Sequence, residues 1–115
     1  MTDLDPSTPV AILAVLAMDA DADVRGAVAW HHATPPSVLA ALAADVSADV
    51  RRAAAYRSAT PPGALSVLAG DEDVGVRGAV AGNPAAPSAA LAALAGDENW
   101  GVRRIVARRI DWPGA

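Results

Sequence analysis

Leucines recur in pairs three residues apart along this chain: Leu13 and Leu16, Leu39 and Leu42, Leu65 and Leu68, Leu91 and Leu94, each pair 26 residues after the last. Around each pair the apolar positions keep the 3/4 spacing of one helix face, as Val38, Leu39 and Leu42 do in TPPSVLAALAAD. The threonine that opens this stretch can cap a helix, and proline suits the first turn. A polar turn follows, then ADVRRAAAYR, in which Asp49 can cap and Val50, Ala53 and Ala54 form a second apolar stripe ending near Arg57. The pattern predicts two helices per unit, the second one short, with some turns open to 3₁₀ geometry.

The same period runs through other columns. Val-Arg stands at residues 24–25, 50–51, 76–77 and 102–103, proline at Pro9, Pro35, Pro61 and Pro87, and aspartate at Asp19, Asp45, Asp71 and Asp97. Four units follow, at residues 8–33, 34–59, 60–85 and 86–111. Helical pairs repeated in this way bury their apolar faces only against neighbouring pairs. The expected architecture is an all-α, right-handed α-solenoid of four 26-residue two-helix repeats, a single domain over residues 1–115. Trp100, Ile105, Ile110 and Trp112 add bulk where earlier units carry small or polar residues, which reads as a C-terminal cap over 100–115. The first unit has no second helix before it, so its open face is expected either to pair with another copy or to be covered by residues 1–7.

VRGAVAGNPAAPSAALAALAGDENWGVR resembles the leucine-rich repeat variant family, whose pattern VRxAVAxNPxTPxxxLxxLAxD pairs an α-helix with a shorter, often 3₁₀, helix. The resemblance covers residues 8–111. HEAT repeats are similar in carrying an aspartate after the first helix and an arginine in the second. Either resemblance implies a solenoid with an interaction role and no shared reaction. The Asn-Pro of the variant pattern stands only at Asn83-Pro84, with His31-His32, Arg57-Ser58 and Arg109-Ile110 elsewhere.

Thirteen acids against nine bases give a net charge of -4, which argues against a surface tuned as a whole to nucleic acid or an anionic membrane. All nine bases are arginine. There is no cysteine, which excludes disulfides, thiolate catalysis and thiolate metal ligation and fits a reducing cytoplasm. No stretch reaches the roughly 20 apolar residues of a membrane span, and the opening MTDLDPSTP has neither the basic nor the apolar part of a signal peptide.

Arg25, Arg51, Arg77 and Arg103 each follow the aspartate of their own repeat by six residues, which reads as a structural ladder with Asp19, Asp45, Asp71 and Asp97. The remaining acids crowd the same turns and complement the positive ends of the second helices. Asp19, Asp21 and Asp23 match the start of an EF-hand loop, but Val24 stands where glycine is needed and Trp30 where glutamate is needed. His31 and His32, expected to point one to the core and one to solvent, belong to no recognisable nucleophile or phosphate motif. The chain therefore reads as a non-enzyme without metal or cofactor.

Within a solenoid, the exposed positions that vary between units are where binding specificity is written. Two second-helix columns vary most: Gly26, Arg52, Gly78 and Arg104, and Trp30, Tyr56, Gly82 and Arg108. The next column runs His31, Arg57, Asn83, Arg109. With second helices side by side, Trp30, Tyr56 and Arg108 are expected to form a ridge, notched by the two glycines of the third unit. Trp, Tyr and Arg are the residue types of interface hot spots, so Trp30, Arg52, Tyr56, Arg57, Arg104, Arg108 and Arg109 are the candidate partner-binding residues, for a protein or peptide. The rival ligand is nucleic acid, with bases on the aromatics and phosphates on the arginines, and the acidic total and lack of lysine weigh against it. A purely structural or self-associating repeat protein is the other alternative.

Overall fold

A computed structural model of the chain describes residues 4–109, in which eight α-helices follow one another in pairs. They are α1 (Val10–Leu16), α2 (Ala22–Trp30), α3 (Pro36–Leu42), α4 (Ala48–Tyr56), α5 (Pro62–Leu68), α6 (Val74–Gly82), α7 (Ser88–Ala95) and α8 (Trp100–Ala107). No strand occurs among the described residues, and successive helices contact one another in order, giving an all-helical repeat solenoid. No helix among them is long and apolar enough to cross a membrane.

The first helix of each pair starts directly after its repeated proline, held at ψ of 145 to 157°. It ends where the repeated aspartate turns its carboxylate onto the amide two residues later. Asp19, Asp45, Asp71 and Asp97 accept from the N–H of Asp21, Ser47, Asp73 and Asn99 at 2.8 to 2.9 Å. This side-chain turn competes with further helix and stops it. As a result the first helices span only seven or eight residues, while α2, α4 and α6 span nine and α8 eight. The expectation of a short second helix is reversed, and both members of every pair are α-helical.

Two expected caps also move. Thr34 and Thr60 do not cap the helices that follow them; buried, they donate their hydroxyls to the carbonyls of Val28 and Ala54 and close the helix before. Asp49 lies inside the first turn of α4, after the N-cap Ser47.

The second helices lie side by side, α2 on α4 on α6 on α8, and contact one another more extensively than the first helices do. Small residues allow this approach: Ala29, Ala55 and Ala81 are fully buried and Ala53 and Ala79 nearly so. The first helices supply the larger apolar groups, with Leu13, Leu39 and Leu65 wholly buried and Leu91 nearly so. Each such leucine stabilises the stack by about 1.5–3 kcal/mol.

The repeated arginines bridge units. Arg25 sends Nε and Nη2 to the carboxylate of Asp45 at 2.7 and 3.0 Å, and Nη1 to the backbone carbonyls of Asp19 and Ala20. Arg51 does the same with Asp71, and Arg77 with Asp97. The carboxylate thus comes from the following repeat, and the arginine's own aspartate contributes its carbonyl, correcting the pairing within one repeat expected above. At the two ends the ladder is half made. Arg103 donates to the Asp97 carbonyl at 2.6 Å and has no carboxylate partner among the described residues, and there Asp19 meets only the Asp21 amide.

The bidentate hydrogen bonds of Arg25 hold the Asp45 carboxyl below its ordinary range. Burial pushes Asp71 and Asp97 the other way, but the bonds from Arg51 and Arg77 and the turn amides outweigh it, and both end lowered. A carboxyl whose folded pKa is depressed stabilises the fold above its unfolded value, near about 4, and loses that contribution as pH falls through the lower folded one. The melting temperature followed by circular dichroism should therefore stay level from about pH 7 to 5 and fall steeply below about pH 4. Asp71→Asn, which keeps the turn acceptor and removes the charge, should cost about 1–2 kcal/mol at neutral pH, roughly 4–8 °C of melting temperature per kcal/mol.

Candidate functional site

The second helices end at the column His31, Arg57, Asn83, whose residues are extended at ψ of 121 to 132° and close the helix with their own amide. The side chains of this column reach back one repeat. Arg57 donates Nη1 to the carbonyls of Ala29 and His31, Asn83 donates Nδ2 to those of Ala55 and Arg57, and Arg109 donates Nη1 to those of Ala81 and Asn83. His31 makes the equivalent contact from Nε2 to the Asp5 carbonyl at 2.9 Å. Its Nδ1 accepts from the Ala33 amide, so the proton sits on Nε2, just as Asn83 Oδ1 accepts from the Ala85 amide while Nδ2 donates. The helix C-terminal carbonyls of Ala29, Ala55 and Ala81 receive a donor in this way from the next repeat, and those of His31, Arg57 and Asn83, which already accept from the amides of Thr34, Thr60 and Ala86, receive a second one.

This second ladder takes Arg57 and Arg109 out of solvent: both are half-buried, and burial lowers the Arg57 pKa. They face the preceding repeat rather than a ligand, a position unlike the exposed one expected of partner-binding residues. His31 is buried and His32 exposed, with the two rings stacked.

The aromatic pair of the expected ridge is brought together. Trp30 and Tyr56, from the ends of α2 and α4, stack with ring centroids 5.6 Å apart, and they remain 56% and 52% exposed. The stack separates two grooves on the second-helix face. The first, about 610 Å³, has Ala22, Gly26 and Ala27 on its floor and Leu4, Trp30, Asp49 and Arg52 around it. The second, about 390 Å³, runs from Tyr56 past Val74, Gly75 and Gly78 to Ile105. Both lie in the size range of ligand sites.

Beyond Tyr56 the ridge stops. The notch expected at Gly78 and Gly82 is lined by Ile105, whose methyls would lie 3.8 and 3.9 Å from β-carbons placed on those glycines. Arg52 pairs with Asp49 at 3.1 Å and rests its Cδ against Gly75. Arg104 lies over the Trp100 ring, 5.2 Å from its centroid. Arg108 is exposed at the end of α8. Trp100 is itself 64% exposed and does not close over an apolar end as a cap would; Ile110 and Trp112 lie outside the described residues. Leu4 packs against the core, so residues before α1 cover part of the open face of α2.

Asp49, Ala22 and Ala27 were not among the sequence candidates for this face. Gly26 next to Trp30 in the varying columns is the signal that could have found the groove, since a side chain missing beside an exposed aromatic leaves a hollow. No group of three or more His, Asp or Glu among the described residues is arranged to hold a metal ion.

Two adjacent stretches, residues 48–73 and 74–99, match the family model described as Leucine rich repeat variant. The matched unit has the same 26-residue period but begins at the second helix, so it comprises α4 with α5 and then α6 with α7. No curated protein and no solved structure matches the chain.

Arg57→Ala leaves the Ala29 carbonyl without its donor and the His31 carbonyl with only the Thr34 amide, and should lower stability by about 1–3 kcal/mol, whereas Arg108→Ala should stay within about 0.5 kcal/mol of the parent. Arg57→Asn, carrying the residue that does the same work at position 83, should restore part of the loss; urea denaturation of the three variants measures the difference.

Proposed function

From the two leucine rich repeat variant units at residues 48–99, helical repeat modules of a kind generally involved in protein interactions, we propose that this chain is a non-enzymatic module. It binds a protein or peptide on the face of its second helices. The observation that carries the reading is the half-exposed Trp30–Tyr56 stack between two grooves. Large rigid aromatics beside a small-residue floor supply contact area at low entropic cost, the makeup of an interface hot spot. Asp49 and Arg52 stand at the rim, where polar groups set orientation more than affinity. Gly26 leaves open space beside Trp30, with nothing within 4 Å of where its β-carbon would be, so an apolar side chain of the partner has room to enter.

The nucleic-acid reading is weaker for a specific reason. Of the five arginines it needs, Arg57 and Arg109 donate to backbone carbonyls and Arg52 is paired with Asp49. Arg104 and Arg108 remain, too few for a phosphate track on a chain of net charge -4. We place the protein in the cytoplasm, the reducing compartment that a cysteine-free chain suits.

Trp30→Ala combined with Tyr56→Ala should abolish capture of a partner by the immobilised chain while shifting the melting temperature by only a few degrees, since both rings are half exposed. A drop of about 10 °C or more would make the pair part of the core and remove the reading.

A further inference from the structure

Arg103 occupies the place of Arg25, Arg51 and Arg77 and donates to the Asp97 carbonyl as they do to the aspartates of their own repeats, yet it is exposed and lacks a carboxylate among the described residues. Asp19 occupies the place of Asp45, Asp71 and Asp97 and there lacks a guanidinium. The three complete rungs show what each half is shaped to receive: an Asp from the repeat after, or an Arg from the repeat before, at 2.7 to 2.8 Å.

We propose that copies of this chain associate head to tail, the fourth repeat of one seating against the first repeat of the next, so that Arg103 closes a further rung on the neighbouring copy's Asp19. Charge and register agree. Residues 100–109 carry four arginines and no acid, and residues 19–23 carry three aspartates and no base. Within the chain, Arg52 lies against Gly75 of the following repeat, its Cδ 3.4 Å from where a β-carbon would stand. Arg104 is the counterpart of Arg52, and Asp23 of Gly75, so the same stacking sets Arg104 against the neighbour's Asp23. The aliphatic stem of Arg104 then covers Ala27, much as Ile105 lies on α6.

The ladder is at the start of α2, about 13 Å of helix away from its other end, where Leu4 and Asp5 sit. Arg108 and Arg109 of the incoming copy take the places of these two as the contact closes, so His31 exchanges the Asp5 carbonyl for that of Arg109, and the displacement of Leu4 from the core keeps the association weak. A head-to-tail contact is heterologous, so it does not stop at two chains unless the rotation closes a ring. The proposal does not rest on partner binding by Trp30 and Tyr56, although the contact shares Leu4, Asp23 and Ala27 with the first groove.

Sedimentation velocity of the full chain at low salt, from about 10 µM to 1 mM, tests it. The average mass should rise with concentration beyond a dimer and fall back in about 0.5 M salt. Arg103→Glu, and separately Asp19→Asn, which keeps the turn acceptor, should each raise the concentration of half-association about tenfold or more with melting curves unchanged. Mixing Arg103→Glu chains with Asp19→Arg chains should restore association beyond a dimer, because the swapped pair of ends and the native Arg103–Asp19 pair kept on the other two ends are then both complementary. A monomer throughout the range, association untouched by Arg103→Glu, or no recovery of association in the charge-swapped mixture overturns the proposal.

Discussion

Everything in this stack depends on a guanidinium that holds two repeats at once. Arg51, for example, grips the carbonyl of Asp45 in its own turn with one nitrogen and the carboxylate of Asp71 in the next turn with two others. The five N–H groups of the fork allow this; an ammonium could not span both in one plane. Because the same aspartate also receives the amide that ends the first helix, one carboxylate sets both the length of that helix and the distance to the next repeat. The loss of one rung therefore disturbs local structure and stacking together.

The column His31, Arg57, Asn83 and Arg109 provides the complementary attachment at the far end of the second helices. Three residue types share one requirement, a nitrogen-bound proton that can reach a carbonyl of the repeat before. No buried side-chain nitrogen or oxygen among the described residues is left without a hydrogen-bond partner. With the helix ends tied in this way, alanine-faced helices can stack closely although they bury little area each, and Trp30 and Tyr56 are free of any structural duty deeper than their contact with one another.

The fold is legible in the sequence because it repeats: leucine spacing, prolines and aspartates mark the four pairs. The same periodicity hid the connectivity. In a 26-residue period an arginine six residues after one aspartate is always 20 residues before the next, and nothing in the sequence separates the two partners. Only the length of the side chain and the stacking distance decide, and both favour the next repeat for the carboxylate. Arg57 and Arg109 looked like surface charge for a related reason. Their column varies in charge while keeping its donor, so a reading by charge saw diversity where the hydrogen bonding is uniform. The aromatic pair was legible from its column; the grooves beside it were not, because a hollow is made by what Gly26 and Ala27 lack.

The two ladders lie at the two ends of the second helices, while the first helices touch one another little along the stack. A bar reinforced on one side bends about that side. The neutral plane of this solenoid runs through its second helices, and a change of curvature is taken up by spreading or closing the first-helix layer. Trp30 and Tyr56 sit on the side that does not stretch, so a change of curvature would leave the spacing of the two rings little altered.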